Sequence, residues 1–334
     1  MRRLPVYLLV DTSESMVGTA IESVQSGLGV MMTALRKNPY AVEMGAVSII
    51  TFDRVAKKVA PLTEVYSFQI PTLEVAPGTA LGAGLRMLDQ AMSTELVKNT
   101  PEQKGDYKPL VFILTDGQPT DEWKSAADQL KRNHKSTILY AIGCGDDVDF
   151  SVLRDLTTEC YSMSQMDTET FSKLFTCISS SIQSASGSLG AGKGEDGVQN
   201  LTEWSGPSLE KVEKVEKRGS SKKRQVLISV LCQQHRKPYL LRYRLNDNAE
   251  YECVAAHKLN RLFSKEEAGS LESVPSTELQ GCAPCPYCGN ISCVYCACGI
   301  MGCWNPQNSL FKCPSCGYNG KVGFGSFDIN QSAG

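Results

Sequence analysis

Apolar and polar positions along this chain follow two alternating periods. Leu4–Val10 (LPVYLLV) is a short apolar run, the pattern of a buried strand. From Ile21 the spacing changes. Ile21, Val24, Leu28, Met31 and Leu35 lie three and four apart, along one face of a helix. Val42–Phe52 returns to a strand-like pattern, with 55–60 as a hairpin partner. Leu81, Leu85, Leu88, Met92 and Leu96 predict a second helix, Leu110–Leu114 a third strand, and Trp123–Asn133 a further helix. Thr137–Ile142 reads as a fourth strand, and Phe171, Leu174, Phe175, Ile178 and Ile182 as a closing helix. Strands alternating with helices predict an α/β fold, a doubly wound, mostly parallel sheet with helices on both faces. In such sheets ligands bind beyond the carboxyl ends of the strands.

The pattern breaks after residue 184. SASGSLGAGKGEDG is small and polar, and EKVEKVEKRGSSKKR is charged, so 185–225 is expected to be a linker. Within it, Gly187–Gly194 imitates a phosphate loop, but Gly194 stands where the motif needs Ser or Thr, and no apolar strand precedes it. Past the linker, Val226–Leu231 is apolar. Leu241, Tyr243 and Leu245 then alternate with Arg242 and Arg244, and Tyr251–Val254 follows a turn at Asn246–Asn248. The expected organisation is 1–184 as the α/β domain, 185–225 as linker, and 226–334 as a small β-rich domain of zinc-ribbon type.

Composition narrows the function classes. The 334 residues are 42% hydrophobic and 21% charged, as in ordinary globular protein, with net charge −2. A globally basic nucleic-acid binder is excluded on that count. The balance is uneven: 1–184 carries 17 basic and 22 acidic residues, the rest 17 and 14. No apolar run approaches the roughly 18 residues of a membrane span. The N-terminal apolar run meets Asp11 too early for a signal peptide, so the protein is expected to be cytoplasmic with reduced thiols. Of 14 cysteines, nine fall between Cys282 and Cys316. So dense a cluster points to thiolate metal ligation rather than to a disulfide scaffold.

Two constellations carry candidate chemistry. The first is Asp11-Thr12-Ser13-Glu14-Ser15, placed where the first strand ends. D-x-S-x-S in a tight turn points Asp11, Ser13 and Ser15 to one side. Thr79, in Pro77-Gly78-Thr79, and Asp116, in Leu114-Thr115-Asp116-Gly117, lie at corresponding ends of later elements. Two carboxylates and three hydroxyls are hard oxygen ligands suited to Mg²⁺, with Mn²⁺ as substitute. D-T-S-E-S, P-G-T-A-L and L-T-D-G-Q-P-T, in this order, resemble the metal-ion-dependent adhesion site of von Willebrand factor A domains. The resemblance covers about 1–184. It implies that Ser13, Ser15 and Thr79 bind the ion directly, that Asp11 and Asp116 act mostly through water, and that a partner's Asp or Glu completes the sphere.

The second constellation is thiolate. Cys285-Pro286-Tyr287-Cys288-Gly289 and Cys313-Pro314-Ser315-Cys316-Gly317 are two C-P-x-C-G turns, each presenting two sulfurs. Together they predict one Cys₄ zinc site, with iron–sulfur ligation as the alternative. Of the remaining five, Cys282, Cys296, Cys298 and Cys303 are assigned to a second zinc and Cys293 is left as the odd thiol, although spacing alone does not fix the pairing. About two zinc ions are therefore expected. Cys144, Cys160 and Cys177 read as core. Cys232 with His235, and Cys253 with His257, also read as core packing, with a third metal site as the alternative.

An A domain, a polar linker and this terminal cysteine array are similar to the bacterial tellurite-resistance proteins of the TerY type. That resemblance implies an adaptor associated with a metal-dependent serine/threonine phosphatase and a protein kinase in stress-linked signalling. Three functions compete: a non-enzymatic, metal-gated adaptor; a zinc-ribbon nucleic-acid module; and a metal-dependent hydrolase. Residues 282–316 hold one Lys and no Arg, which argues against a phosphate-tracking patch there. No candidate base stands beside the predicted magnesium, which argues against the hydrolase.

Overall fold

The computed structural model describes residues 2–116, 118–145, 148–163, 165–190, 209–212, 225–246, 248–262, 273–323 and 325–330. The chain divides into two compact units.

The first unit is built from β1 (Leu4–Asp11), α1 (Thr19–Arg36), α2 (Pro39–Met44), β2 (Gly45–Phe52), β3 (Ala56–Glu64), α3 (Leu81–Glu95), β4 (Leu110–Thr115), α4 (Lys124–Asn133), β5 (Ile138–Cys144), α5 (Phe150–Leu156), β6 (Cys160–Met163), α6 (Thr168–Gly190) and β7 (Glu210–Lys211). The sheet order is β3-β2-β1-β4-β5-β6-β7. β1 runs parallel to β2 and β4, β5 to β4 and β6; β3 and β7 are antiparallel edges. Helices cover both faces, so β1 is buried at every position and reads as a continuous apolar run rather than an alternating one. Val6, Leu8 and Val10 face a core shared with α1 and α6 residues such as Leu28, Met31, Phe175 and Ile178. Tyr7 and Leu9 face the opposite core, with Leu85, Leu88 and Met92 of α3 and Leu130 of α4.

Several boundaries differ from the sequence pattern. Val42–Met44 belong to α2, because the Asn38 side chain accepts the Ala41 N–H (3.0 Å) and Pro39 opens the helix. α5 and β6, of seven and four residues, are too short to show a period. The expected linker is corrected at its start and within it. α6 continues to Gly190; Ala185 and Ser186 are fully buried, small enough to sit against neighbouring helices, and Gln183 Nε2 donates to the Ala34 carbonyl (3.2 Å). Glu210–Lys211 add an edge strand on β6, where Leu209 is buried and Lys211 pairs with Glu159 (2.8 Å). A charged sequence can form an edge strand when one long cation finds a carboxylate, which composition does not reveal. Gln225, its last residue, opens the next strand, and 191–208 and 213–224 lie outside the described residues.

The second unit is β-rich. β8 (Gln225–Leu231), β9 (Pro238–Leu245) and β10 (Tyr251–Lys258) form an antiparallel meander. β11 (Ser273–Pro275), β12 (Leu279–Gln280), β13 (Ser292–Tyr295), β14 (Met301–Trp304), β15 (Leu310–Lys312), β16 (Asn319–Lys321) and β17 (Asp328–Asn330) follow. The main sheet is ordered β12-β10-β9-β8-β14-β13; β11–β17 and β15–β16 are separate two-stranded antiparallel pairs. Its core combines Ile228, Val230, Tyr239, Leu241 and Tyr243 with the cysteines 232, 285 and 303. A second cluster gathers Trp304 and Phe311 with Cys296 and Cys313. Among the described residues, no helix is long and apolar enough to cross a membrane.

Candidate metal centres

At the carboxyl end of the first sheet the register sets the site. Val10 pairs with Leu114 across β1 and β4, so the next positions, Asp11 and Thr115, stand side by side. The Thr115 hydroxyl donates to Asp11 Oδ2, and Asp11 Oδ1 accepts the Ser13 N–H (2.9 Å). The chain turns through Ser13–Met16, bringing Ser13 Oγ within 2.8 Å of Ser15 Oγ, and Ser15 Oγ donates to Asp116 Oδ1 (2.6 Å). The end of β2 braces both neighbouring loops: Thr12 N–H donates to the Phe52 carbonyl (2.9 Å) and Ala80 N–H to the Asp53 carbonyl (2.7 Å). Gly78 adopts φ 94°, which glycine allows at little cost and which turns the chain into Thr79.

The sequence pattern missed the residues that join the Thr79 loop to the Asp116 loop. Thr120 Oγ1 accepts the Thr79 N–H (3.1 Å), and Thr120 N–H donates to the Thr79 carbonyl (2.9 Å). Asp121 Oδ1 and Oδ2 accept the N–H groups of Gly82 and Ala83 (2.8 and 2.9 Å), capping α3. Arg86 holds the same carboxylate at 3.2 Å. The signal for Asp121 was an acidic residue five positions past Asp116, readable only once α3 was placed beside it.

Asp11, Ser13, Ser15, Thr79 and Asp116 are all buried, so polar oxygens converge where apolar packing would otherwise be expected. Burial pushes the Asp11 carboxyl up to about 6, against the opposing hydrogen bonds from Thr115 and Ser13; Asp53 raises it further. Thr79 Oγ1 is buried without a hydrogen-bond partner. An orphaned hydroxyl oxygen costs free energy unless something accepts its lone pairs. A divalent cation among three hydroxyls and two carboxylates would do so, and the donor set is the hard-oxygen set that Mg²⁺ prefers. The residues present fit the ion.

The sulfurs of the second unit form two groups: Cys232, Cys285, Cys288 and Cys303; and Cys296, Cys298, Cys313 and Cys316. In each, all four Sγ atoms lie within 4.8 Å of one another. Neighbouring sulfurs approach to 3.5 Å (Cys288–Cys303) and 3.7 Å (Cys296–Cys316 and Cys298–Cys313). A tetrahedron with Zn–S arms of about 2.3 Å has edges of about 3.8 Å. The spacing fits four-coordinate zinc.

This grouping corrects the pairing expected from the sequence. The two C-P-x-C-G turns do not share a site. Cys285 and Cys288 meet Cys232 and Cys303; Cys313 and Cys316 meet Cys296 and Cys298. Cys282 joins neither group. The reason is topological: β14 pairs parallel to β8, with Gly302 opposite Leu231, which places Cys303 beside Cys232. Cys232, read as core, was thus missed; its C-x₂-H spacing was a signal, but His235 lies outside the sulfur group, with Nδ1 3.4 Å from Cys232 Sγ. Backbone N–H groups support the sulfurs, from Gln233 to Cys303 (3.2 Å) and His235 to Cys232 (3.4 Å). Burial raises the Cys232 thiol, but hydrogen bonds from the His235 and Gln234 amides and from side chains bring it down to about 7. The amide of Tyr318 leads the lowering of Cys316, also to about 7. Gly289, Gly299 and Gly317 close their turns at φ 76°, 84° and 79°. Cys253 and His257 do not form a site. The Cys253 sulfur accepts the Ala283 N–H (3.2 Å), and burial, then Arg242, lowers His257 to about 4.

Comparison with known proteins agrees with this division. The family model of the von Willebrand factor type A domain matches residues 6–176. The chain belongs to the von Willebrand factor type A domain family. Residues 222–334 match the TerY-C metal binding domain, so the von Willebrand unit is followed by a metal-binding one. A von Willebrand factor A domain-containing protein of Dictyostelium discoideum is 25% identical over 154 residues, 46% of this chain and 16% of its own length. A Homo sapiens inter-alpha-trypsin inhibitor heavy chain is 23% identical over 161 residues, 46% of this chain and 12% of its own. The chain therefore spans less than a fifth of either relative. Among solved structures, a von Willebrand factor type A protein from Catenulispora acidiphila is 16% identical, covering 55% of this chain and 43% of that one, with a TM-score of 0.44. The ArnB paralog VWA2 from Sulfolobus acidocaldarius is 17% identical, covering 54% and 45%, with a TM-score of 0.40.

Proposed function

We propose that this protein is a non-enzymatic adaptor whose first unit binds a carboxylate-bearing protein partner through Mg²⁺ or Mn²⁺. The observation that carries this reading is the buried Thr79 hydroxyl without a partner, set among Asp11, Ser13, Ser15 and Asp116. A cation held by few charged protein groups keeps its electrophilicity, so an acidic side chain from a partner can enter its coordination sphere. The surroundings hold no histidine: His134 is engaged with Asp89 (3.1 Å) at the far end of α3, and His235 and His257 belong to the second unit. The second unit supplies a separate surface built around two closed Cys₄ zinc sites. Closed four-sulfur sites stabilise a fold and leave no position for substrate.

The resemblance to tellurite-resistance proteins supplies the partner class: a metal-dependent serine/threonine phosphatase and a protein kinase, brought together in the cytoplasm. The test is co-purification from cells of that kind, with magnesium and with chelator, using the intact chain and Asp116→Ala. Retention of the enzymes only with magnesium and only by the intact chain is the expected result. Undiminished retention in chelator, or phosphoester turnover by the pure protein lost in Asp116→Ala, overturns the reading.

A second reading rests on Tyr287, whose ring is flanked by the Lys237 and Lys258 ammoniums at 5.8 and 5.5 Å, beside exposed Arg236. These cations come from outside 282–316 and make a basic–aromatic patch of the kind that tracks single-stranded nucleic acid. Salt-sensitive oligonucleotide binding lost in Lys237→Glu with Lys258→Glu supports it; no binding at low salt removes it.

A further inference from the structure

Of the six cysteines outside the two sulfur groups, Cys282 and Cys293 lie against each other. Cys282 Sγ and Cys293 Sγ are 3.3 Å apart, and neither belongs to a four-sulfur group. Their positions in the fold give the contact meaning. Cys282 follows β12 by two residues, and β12 is one edge of the six-stranded sheet. Cys293 lies on β13, the opposite edge. The sheet therefore curls until its two edges touch through these sulfurs. The curl closes over the central strand β9. Tyr239 is fully buried with its hydroxyl 3.5 Å from Cys293 Sγ, and the Tyr243 hydroxyl donates to the Gly281 carbonyl (3.2 Å). One tyrosine thus meets each edge, and the approach of the edges belongs to the packed core.

We propose that Cys282 and Cys293 are a reversible oxidation site, a dithiol that a hydroperoxide converts to a disulfide joining the two edges of the sheet. A disulfide requires an S–S separation of about 2.05 Å, so each sulfur needs to move about 0.6 Å. The chemistry balances with one hydroperoxide, ROOH. The Cys282 sulfur, in a loop, attacks the terminal oxygen as its thiolate. The O–O bond breaks, ROH leaves with the thiol proton, and Cys282 becomes a sulfenic acid. The Cys293 sulfur then attacks the Cys282 sulfur, the S–O bond breaks, and water leaves with the Cys293 proton. Two electrons pass from the thiol pair to the peroxide. A small dithiol reverses the step by exchange.

The crosslink would enclose residues 283–292, which include Cys285 and Cys288, half of the first sulfur group. Oxidation here therefore tightens the loop that holds that group, while the eight grouped sulfurs keep their roles.

The intact chain is treated with one equivalent of tert-butyl hydroperoxide, its remaining thiols are alkylated, and its disulfides are mapped by mass spectrometry. Bound zinc is measured in the same sample. The expected first disulfide is Cys282–Cys293, and zinc release to chelator becomes roughly tenfold slower, from the closed loop. Cys282→Ser and Cys293→Ala should each abolish the crosslink and leave the zinc content of the untreated protein unchanged. The map is read whether or not both sulfur groups hold metal, so the result is independent of the adaptor reading. Disulfides formed first among the eight grouped cysteines, with Cys282 and Cys293 both alkylated, overturn the proposal. So does loss of an ion in Cys293→Ala, which would make Cys293 a ligand.

Discussion

The two units hold metal-type sites by opposite means. In the first, two layers of helices bury both faces of a seven-stranded sheet, and the oxygen cluster sits at the ends of strands already fixed by that core. In the second, cysteines are themselves core residues: 285 and 303 pack with Tyr239 and Leu241, and 296 and 313 with Trp304 and Phe311. The lesson is one of dependence. The oxygen site presupposes its fold, whereas in the second unit the sulfur groups are part of the core that makes the fold.

Zinc removal should break the comparison most visibly. Chelation at neutral pH, or Cys303→Ser with Cys313→Ser, should unfold the second unit and leave the first folded. Structural zinc contributes about 10 kcal/mol or more of apparent free energy in small domains. Two separate transitions in calorimetry, with only one sensitive to chelator, is the expected record; a single shared transition would contradict it.

The next effect separates the two pairings. Cys232→Ser should cost one zinc ion of two, and Cys282→Ser none. Metal analysis of the purified variants decides, and the reverse result restores the pairing expected from the sequence.

In the first unit the effects should fall on binding rather than on folding. Gly82 packs so closely that a Cβ there would come 2.3 Å from the Glu122 carbonyl oxygen. Gly82→Ala should therefore spread the Thr79 and Asp116 loops and weaken Mg²⁺-dependent partner binding roughly tenfold, about 1.4 kcal/mol. The melting temperature should drop by only a few degrees. Binding unchanged, measured by calorimetric titration, would show that the two loops are not coupled through α3.

The smallest effect is a pH dependence. The folded Asp11 carboxyl, at about 6, titrates above its ordinary value of 3.8. Between those values the metal-free folded unit holds more protons than the unfolded chain, so its stability falls as pH rises through that window. A bound cation offsets this penalty. The thermal shift on adding Mg²⁺ should therefore be larger at pH 7.5 than at pH 5, by a few degrees, in differential scanning fluorimetry.

How much of this was legible differs in the same way between the units. Asp11, Ser13, Ser15 and Asp116 could be proposed in advance because they stand just past strong apolar strands, β1 and β4, whose ends a doubly wound sheet brings together; Thr79, which follows an irregular stretch and precedes α3, came from the P-G-T-A-L motif. Thr120 and Asp121 could not, since they act only after α3 is seated beside their loop. The edge strand Glu210–Lys211 was hidden in a charged stretch because its partner, Glu159, is 52 residues away along the chain.

The sequence by itself determined the alternation of strands and helices, the turns that end them, and the residue types of both constellations. Those follow from local spacing: 3.6-residue and two-residue periods, glycine at left-handed turns, and paired cysteines in tight knuckles. Only the tertiary structure decided which knuckle meets which. Two identical C-P-x-C-G turns are equivalent as local chemistry, and nothing in either names its partner. The parallel pairing of β14 with β8 put Cys303 beside Cys232, the curl of the sheet set Cys282 against Cys293, and both were settled by burying Tyr239, Leu241 and Tyr243 in one core.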